Sequence, residues 1–158
     1  MADYLRDELG KLLDQHDARR QATLAHEQKV RDEHALFVTR FADLRRTVIR
    51  PAFETAGAML AERGHKVTIA EQEFSVDAAG KVTEAAISID IVPSGTPAPV
   101  RKDAMSLFSI STRHYSKTVL ISAGQPIEGS KDTYPLESIT RQRVAEELVT
   151  FVARLVGG

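Results

Sequence analysis

The chain has 158 residues, with 21 basic and 22 acidic side chains, a formal net charge of -1, and neither cysteine nor tryptophan. Without cysteine it can form no disulfide, thiolate nucleophile, iron–sulfur cluster or cysteine-ligated zinc site. The longest unbroken apolar run is four residues, as at 35–38, so we expect no transmembrane segment and no signal-peptide core. With 42% apolar and 27% charged residues, the composition is that of a folded protein of the cytoplasm.

The first 64 residues are predicted to form one very long helix. The stretch 11–50 contains neither glycine nor proline and is rich in strong helix formers such as Ala, Leu, Glu and Arg. A basic residue followed by Gly64 is a typical helix end, so we divide the chain into 1–64 and 65–158 at that point. Pro51 lacks a backbone donor and is expected to kink the helix or to divide it.

The outer part of this helix is predicted to self-associate. A straight helix of 50 residues would be about 75 Å long, whereas the remaining residues make a body with a radius of gyration of roughly 12–13 Å. No turn signal folds the helix back, so we expect the first ~35 residues to pair in a coiled coil, parallel or antiparallel. A marginal solvated helix is the alternative, because the middle of the seam is polar. The self-association positions are Leu5, Leu9, Leu12, His16, Thr23, His26 and Val30.

Nearer the boundary the apolar stripe of the helix broadens. A wider stripe is typical of a helix that packs on a globular core. We therefore expect this part of the helix to contribute to the core of the second half. The predicted core positions are Phe37, Val38, Phe41, Leu44, Val48, Ile49, Phe53, Met59 and Leu60.

Beyond the boundary, β-branched residues and turn signals predict a four-stranded antiparallel meander. The strands are expected at 66–76, 82–92, 104–114 and 117–123, with a short extra strand as a candidate at 136–139. A change of apolar phase in the first strand predicts a bulge near Glu71, and Asp77 begins a hairpin turn. One face of the sheet should be buried, and it carries Ala85, Ile87, Ile89 and Ile91. The other face is left to water or a protein partner.

The chain is predicted to end in a helix that packs on this sheet. Thr140 is a suitable N-cap, and Ile139 with Val144 can form a hydrophobic staple. The buried stripe continues through Leu148, Phe151, Val152 and Leu155. Strands in one block with helices at both ends define an α+β fold: a long N-terminal helix, a four-stranded antiparallel sheet and a C-terminal helix.

Signatures of chemistry are few. The five histidines have no metal-binding spacing, and no phosphate-binding glycine motif occurs. Ser109, Ser111, Thr112 and His114 share one predicted strand, but the glycine-flanked elbow of serine hydrolases is missing. We therefore assign no catalytic residue, no metal and no cofactor, and favour a role that is not enzymatic.

One rim of the sheet could nevertheless bind a ligand. In a meander, successive connections alternate between the two ends of the sheet, which places the loops 93–103 and 124–135 at the same end. Long loops gathered on one rim are typical of binding sites, although they can equally be ordinary surface loops. The candidate ligand-binding residues are His65, Arg101, Lys102, Asp103, Glu128, Lys131, Asp132 and Tyr134.

Three hypotheses of function follow. The leading one is a non-catalytic homodimeric scaffold or adaptor that associates through its N-terminal helix. The second is a small-ligand binding domain or enzyme that uses the rim. The third is a weak nucleic-acid binder, which the near-neutral overall charge argues against. Its basic cluster would be Arg40, Arg45, Arg46 and Arg50. We expect no membrane partner.

Overall fold

The predicted α+β architecture is confirmed by a computed structural model that describes residues 2–95, 106–123 and 133–157. The helices are α1 (Ala2–Leu44), α2 (Arg50–Glu62) and α3 (Arg141–Gly157), with a π-helical segment at Arg45–Ile49 and a 3-10 turn at Leu136–Ser138. The strands are β1 (Lys66–Gln72), β2 (Ser75–Val76), β3 (Val82–Thr83), β4 (Ala86–Val92), β5 (Leu107–Arg113), β6 (Thr118–Ala123) and β7 (Thr133–Pro135).

Contacts within the chain divide it into two units, Met1–Leu36 and Phe37–Gly158. The described part of the first unit is helical, and it includes side-chain contacts between residues three and four apart. Nζ of Lys11 lies 3.8 Å from Glu8, and the Gln28 amide donates to Asp32 at 2.9 Å. The buried hydrophobic core lies in the second unit.

The second unit contains a five-stranded antiparallel sheet in the order β1-β4-β5-β6-β7, and β2 and β3 form a separate small hairpin. The fifth strand, β7, lies within the predicted loop 124–135 and pairs with β6, for example Leu120 opposite Thr133. The candidate strand at 136–139 is wrong, because a 3-10 turn occupies this stretch. Leu136 and Ile139 both pack in the core, and their spacing of three matches a 3-10 turn rather than a strand.

The first hairpin is interrupted close to the predicted bulge. The β1–β4 ladder ends at the pair Gln72–Ala86 and pairing resumes at Ser75–Thr83. The turn predicted from Asp77 is confirmed: its Oδ1 accepts the amide of Lys81 at 2.8 Å.

The covered face of the sheet is confirmed as predicted. Ala85, Ile87, Ile89 and Ile91 on and beside β4 are at most 3% exposed. Phe108 of β5 connects this face to both helices that cover it. Its ring centroid lies 5.8 Å from that of Phe53 and 5.5 Å from that of Phe151, so α2, the sheet and α3 share one core.

The chain remains helical through Pro51. The expected division does not occur, because the preceding π-helical segment opens the turn: the Arg50 amide donates to the Arg45 carbonyl, five residues back. Such a wide turn accommodates a proline whose ring would otherwise clash with the preceding turn. The helix therefore continues from α1 through the π-helical segment into α2, which contains Pro51.

The π-helical segment also keeps a buried stripe on the sheet. Buried positions recur every four residues along this stretch: Phe37, Phe41, Arg45, Ile49 and Phe53. In a regular α-helix each step of four residues turns about 40° beyond a full circle, so the stripe would rotate away from the sheet. The extra residue in the π-turn reverses part of this rotation. Met59 was predicted in the core but is 60% exposed, since it falls outside the four-residue series.

The helix ends follow the predicted chemistry. At the end of α2 the His65 amide donates to the Leu60 carbonyl and the Gly64 amide donates to the Ala61 carbonyl, which is a Schellman motif. Gly64 has a φ of 87°, so a side chain there would be strained. At the start of α3 the Thr140 hydroxyl accepts the Arg143 amide at 3.1 Å, which confirms the predicted N-cap.

Candidate functional site

The predicted self-association residues lie on one helix and are largely exposed. Leu5 is 59% exposed, Leu9 is 47% exposed and Leu12 is 59% exposed. The polar seam positions His16, Thr23 and His26 are exposed as well, whereas Val30 is half-buried. The first unit therefore presents several leucine side chains to its surroundings within the first turns of α1.

Leu13 belongs to the same apolar face but was missed by the sequence analysis. It is 60% exposed. A strict four-and-three spacing passes over it, whereas at 100° per residue Leu5, Leu9, Leu12 and Leu13 fall within an arc of about 100°. The helical periodicity of four leucines, rather than the heptad alone, is the signal that finds this face. We call these four residues the leucine face.

The predicted basic cluster is largely neutralised. Arg45 is buried, and its Nε lies 2.8 Å from Oε1 of Glu71. One terminal nitrogen lies 2.6 Å from Oε1 of Glu73, and the other donates to the carbonyls of Gln72 and Ala86 at 3.2 and 3.4 Å. The guanidinium thus binds both strands at the point where the β1–β4 ladder ends. Its charge is neutralised there and adds no positive charge to the surface.

The other three arginines of the cluster differ in their surroundings. Arg46 lies 3.4 Å from Asp43. Arg50 bridges Glu54 at 2.7 Å and Glu71 at 2.8 Å. Arg40 is exposed. The four arginines therefore do not form a continuous basic surface of the kind that binds phosphate backbones.

A polar cluster was found at the tip of the β5–β6 hairpin. Nδ1 of His114 lies 3.0 Å from both carboxylate oxygens of Glu84, and the His114 amide donates to the same carboxylate. A carboxylate only accepts, so Nδ1 carries the proton. The Phe74 ring packs edge-on against the imidazole. This arrangement fixes the orientation of His114 against the break in the first hairpin.

The hydroxyl residues of β5 differ in their relation to His114: the Thr112 hydroxyl lies 3.4 Å from Oε1 of Glu84, the carboxylate that His114 also contacts. Thr112 is fully buried, and its hydroxyl accepts the Ala85 amide at 3.0 Å. Ser109 and Ser111 alternate with Thr112 along the strand and therefore lie on the opposite sheet face. The two serines considered for nucleophilic catalysis are thus on the sheet face opposite Thr112.

Two of the candidate rim residues lie among the described residues. Nδ1 of His65 accepts the Ser94 amide at 3.0 Å, and the Tyr134 ring packs under the guanidinium of Arg143, 4.4 Å from its centroid. They belong to opposite edges of the sheet, about 19 Å apart at the usual strand spacing. The structure does not bring these two together. Outside the described residues lie Arg101, Lys102, Asp103, Glu128, Lys131 and Asp132.

An apolar groove between α2 and α3 was not foreseen. It consists of two adjoining cavities with volumes of about 370 and 500 Å³. The same four residues line both cavities: Ala56, Met59, Leu148 and Val149. Val149 is 68% exposed. We call this surface the α2/α3 groove.

The two helices run in the same direction along the groove. One end is lined by Pro51 and Arg141, and the other by Arg63 and Val152. The sequence signal for the groove is the apolar character of Met59 and Val149 outside the buried stripes of their helices.

Among the described residues, no three His, Asp or Glu side chains are grouped so that they could hold a metal ion. No helix in the described ranges has both the length and the apolar character needed to cross a membrane. Comparison with protein-family models, curated proteins and solved structures finds no significant match to this chain.

Proposed function

We propose that this protein is a homodimeric scaffold or adaptor without catalytic activity that self-associates through its N-terminal helix. The observation that carries the proposal is the leucine face: Leu5, Leu9, Leu12 and Leu13 are 47–60% exposed on one side of α1. Four neighbouring leucines on one helical face form an apolar patch that favours contact with another protein surface.

The polar middle of α1 is compatible with this proposal. His16, Thr23 and His26 are exposed on the same helix. Polar residues within an apolar seam lower the stability of an assembly but restrict its register and its number of chains. Association driven by the leucine face and limited by these residues would give a defined oligomer rather than an aggregate.

The test is the solution mass of the full chain by sedimentation equilibrium. We expect a dimer at tens of micromolar for the wild type and a monomer for the double variant Leu5→Glu, Leu12→Glu, because charged side chains oppose burial. Val76→Glu is the matched control, since Val76 is 56% exposed on β2 and lies outside the helix. A monomeric wild type, or a double variant that remains dimeric, would contradict the proposal.

A further inference from the structure

The α2/α3 groove has the character of a receptor for a helix. Its lining combines the small residues Ala52, Ala56 and Ala145 with the larger apolar side chains of Met59 and Val149. Amphipathic helices bind such grooves through apolar side chains at spacings of three, four and seven residues. The leucine face offers this pattern, since Leu9, Leu12 and Leu13 follow Leu5 by four, seven and eight residues.

The lengths of the two surfaces agree. From Leu5 to Leu13 a helix rises about 12 Å. Along α2, the groove extends from Pro51 to Arg63, which corresponds to a rise of about 18 Å. The groove is therefore long enough to receive all four leucines side by side.

Charge also favours this pairing. The charged residues among the described groove lining are Arg63 and Arg141, both basic. The segment 2–14 contains four acidic residues (Asp3, Asp7, Glu8 and Asp14) against two basic ones (Arg6 and Lys11), and is therefore net acidic. Two such segments side by side in a parallel coiled coil would repel each other, whereas the arginine-flanked groove attracts them.

We infer that the α2/α3 groove binds the leucine face of a second copy of this chain. The inference rests on the proposed self-association and identifies the surface that the N-terminal helix contacts. If each copy inserts its helix into the groove of the other, two equal contacts form and the assembly closes as a dimer. Arg63 and Arg141 then lie beside the net-acidic segment that enters between them.

Two variants of the full chain test the two sides of this contact separately. Leu9→Glu places a charge on the leucine face, and Val149→Glu places one in the groove at a position that is 68% exposed, so the fold should tolerate it. We expect each variant to raise the dissociation constant of the dimer at least about tenfold. Val76→Glu, at an exposed position outside the groove, should leave it unchanged.

Mixing the two variants gives the decisive measurement. A heterodimer of Leu9→Glu with Val149→Glu retains one intact helix and one intact groove, so one of the two contacts is restored. With one variant isotope-labelled and the two mixed in equal amounts, native mass spectrometry should detect heterodimer well above the twofold ratio to each homodimer that random pairing would give. If instead Val149→Glu remains fully dimeric while Leu9→Glu is monomeric, the groove inference is overturned and self-association through the helix stands. A monomeric wild type would overturn both.

Discussion

Arg45 donates from Nε to Oε1 of Glu71 at 2.8 Å, with only 8% of the arginine side chain exposed. Arg50 binds the other oxygen of the same carboxylate at 2.8 Å. Residues five apart in a regular α-helix would be about 140° apart around the axis. The five-residue hydrogen bond from Arg50 to Arg45 in the π-helical segment turns both side chains towards the end of β1, so this segment and the ion pairs depend on each other.

The first prediction concerns the stability that Arg45 contributes. Arg45→Met keeps much of the side-chain volume but leaves the carbonyls of Gln72 and Ala86 without this donor. Glu73 is 74% and Glu71 32% exposed at the side chain, so both carboxylates can be hydrated again. We therefore expect a loss of about 2–3 kcal/mol in the free energy of unfolding, measured by urea denaturation.

Two further substitutions distinguish a positional effect from a general effect of charge. Arg46→Met removes a neighbouring arginine that is 73% exposed and should change stability by less than about 0.5 kcal/mol. Arg45→Lys should remain destabilised, because an ammonium group cannot match the fork of a guanidinium. Equal losses for Arg45→Met and Arg46→Met would show that the buried contacts of Arg45 are unimportant.

The second prediction concerns the covered sheet face. Ile89 is fully buried between Ile69 of β1 and Phe108 of β5. Ile89→Asp would bury a carboxylate without a partner, at a cost of more than about 4 kcal/mol, and should unfold the second unit. Ser88→Asp, one residue earlier on the half-exposed opposite face, is the matched control. Circular dichroism should show a folded control, and a folded Ile89→Asp protein would refute the face assignment.

The third prediction concerns the approach of α2 to β1. A Cβ atom added at Gly57 would lie 3.2 Å from Cγ1 of Val67, closer than most side-chain contacts. Gly57→Leu should therefore overpack this contact and destabilise the second unit by about 1–3 kcal/mol. Gly10→Ala, where a Cβ atom would meet nothing within 4 Å, should instead stabilise its helix by up to about 1 kcal/mol. Thermal unfolding of each variant, followed by circular dichroism at 222 nm, should show a lower midpoint for Gly57→Leu and no loss for Gly10→Ala.

Local patterns predicted much of this fold because their physical causes are local. Alternation in β4 placed Ile87, Ile89 and Ile91 on the covered face, and the cap at Thr140 depends on a hydroxyl three residues from the amide it accepts. Gly64 ends its helix for an equally local reason. In each case, the partners are close in sequence, so the spacing itself carries the information.

Features that depend on distant partners were not predictable in the same way. Burial of Arg45 requires Glu71 and Glu73, more than 20 residues away. β7 requires the edge of β6, and its own three residues have no strand pattern. The α2/α3 groove requires two helices that are separated in sequence by the whole sheet. The π-helical segment alone has a signal in the sequence. Its signal is the four-residue recurrence from Phe37 to Phe53, which indicates a wide helical turn.

The fourth prediction concerns the independence of the second unit. The buried core residues all lie at or after Phe37, so deletion of residues 1–35 should leave the sheet and α3 folded. The shortened protein should be monomeric in sedimentation equilibrium, because it lacks the leucine face, and its thermal midpoint should fall only slightly through fraying near Phe37. A shortened protein that dimerises as the full chain does would show that association does not need the N-terminal helix.

The final prediction uses the absence of cysteine from the chain, which makes every introduced thiol unique. Copies carrying Leu9→Cys are mixed with copies carrying Val149→Cys and oxidised gently. Disulfides form only where the Cβ atoms come within about 3.5–4.5 Å. If the leucine face enters the groove, cross-linked heterodimers should dominate the mixture and Leu9→Cys alone should cross-link poorly. Efficient cross-linking of Leu9→Cys with itself would instead indicate a parallel coiled coil, in which the two copies of position 9 face each other.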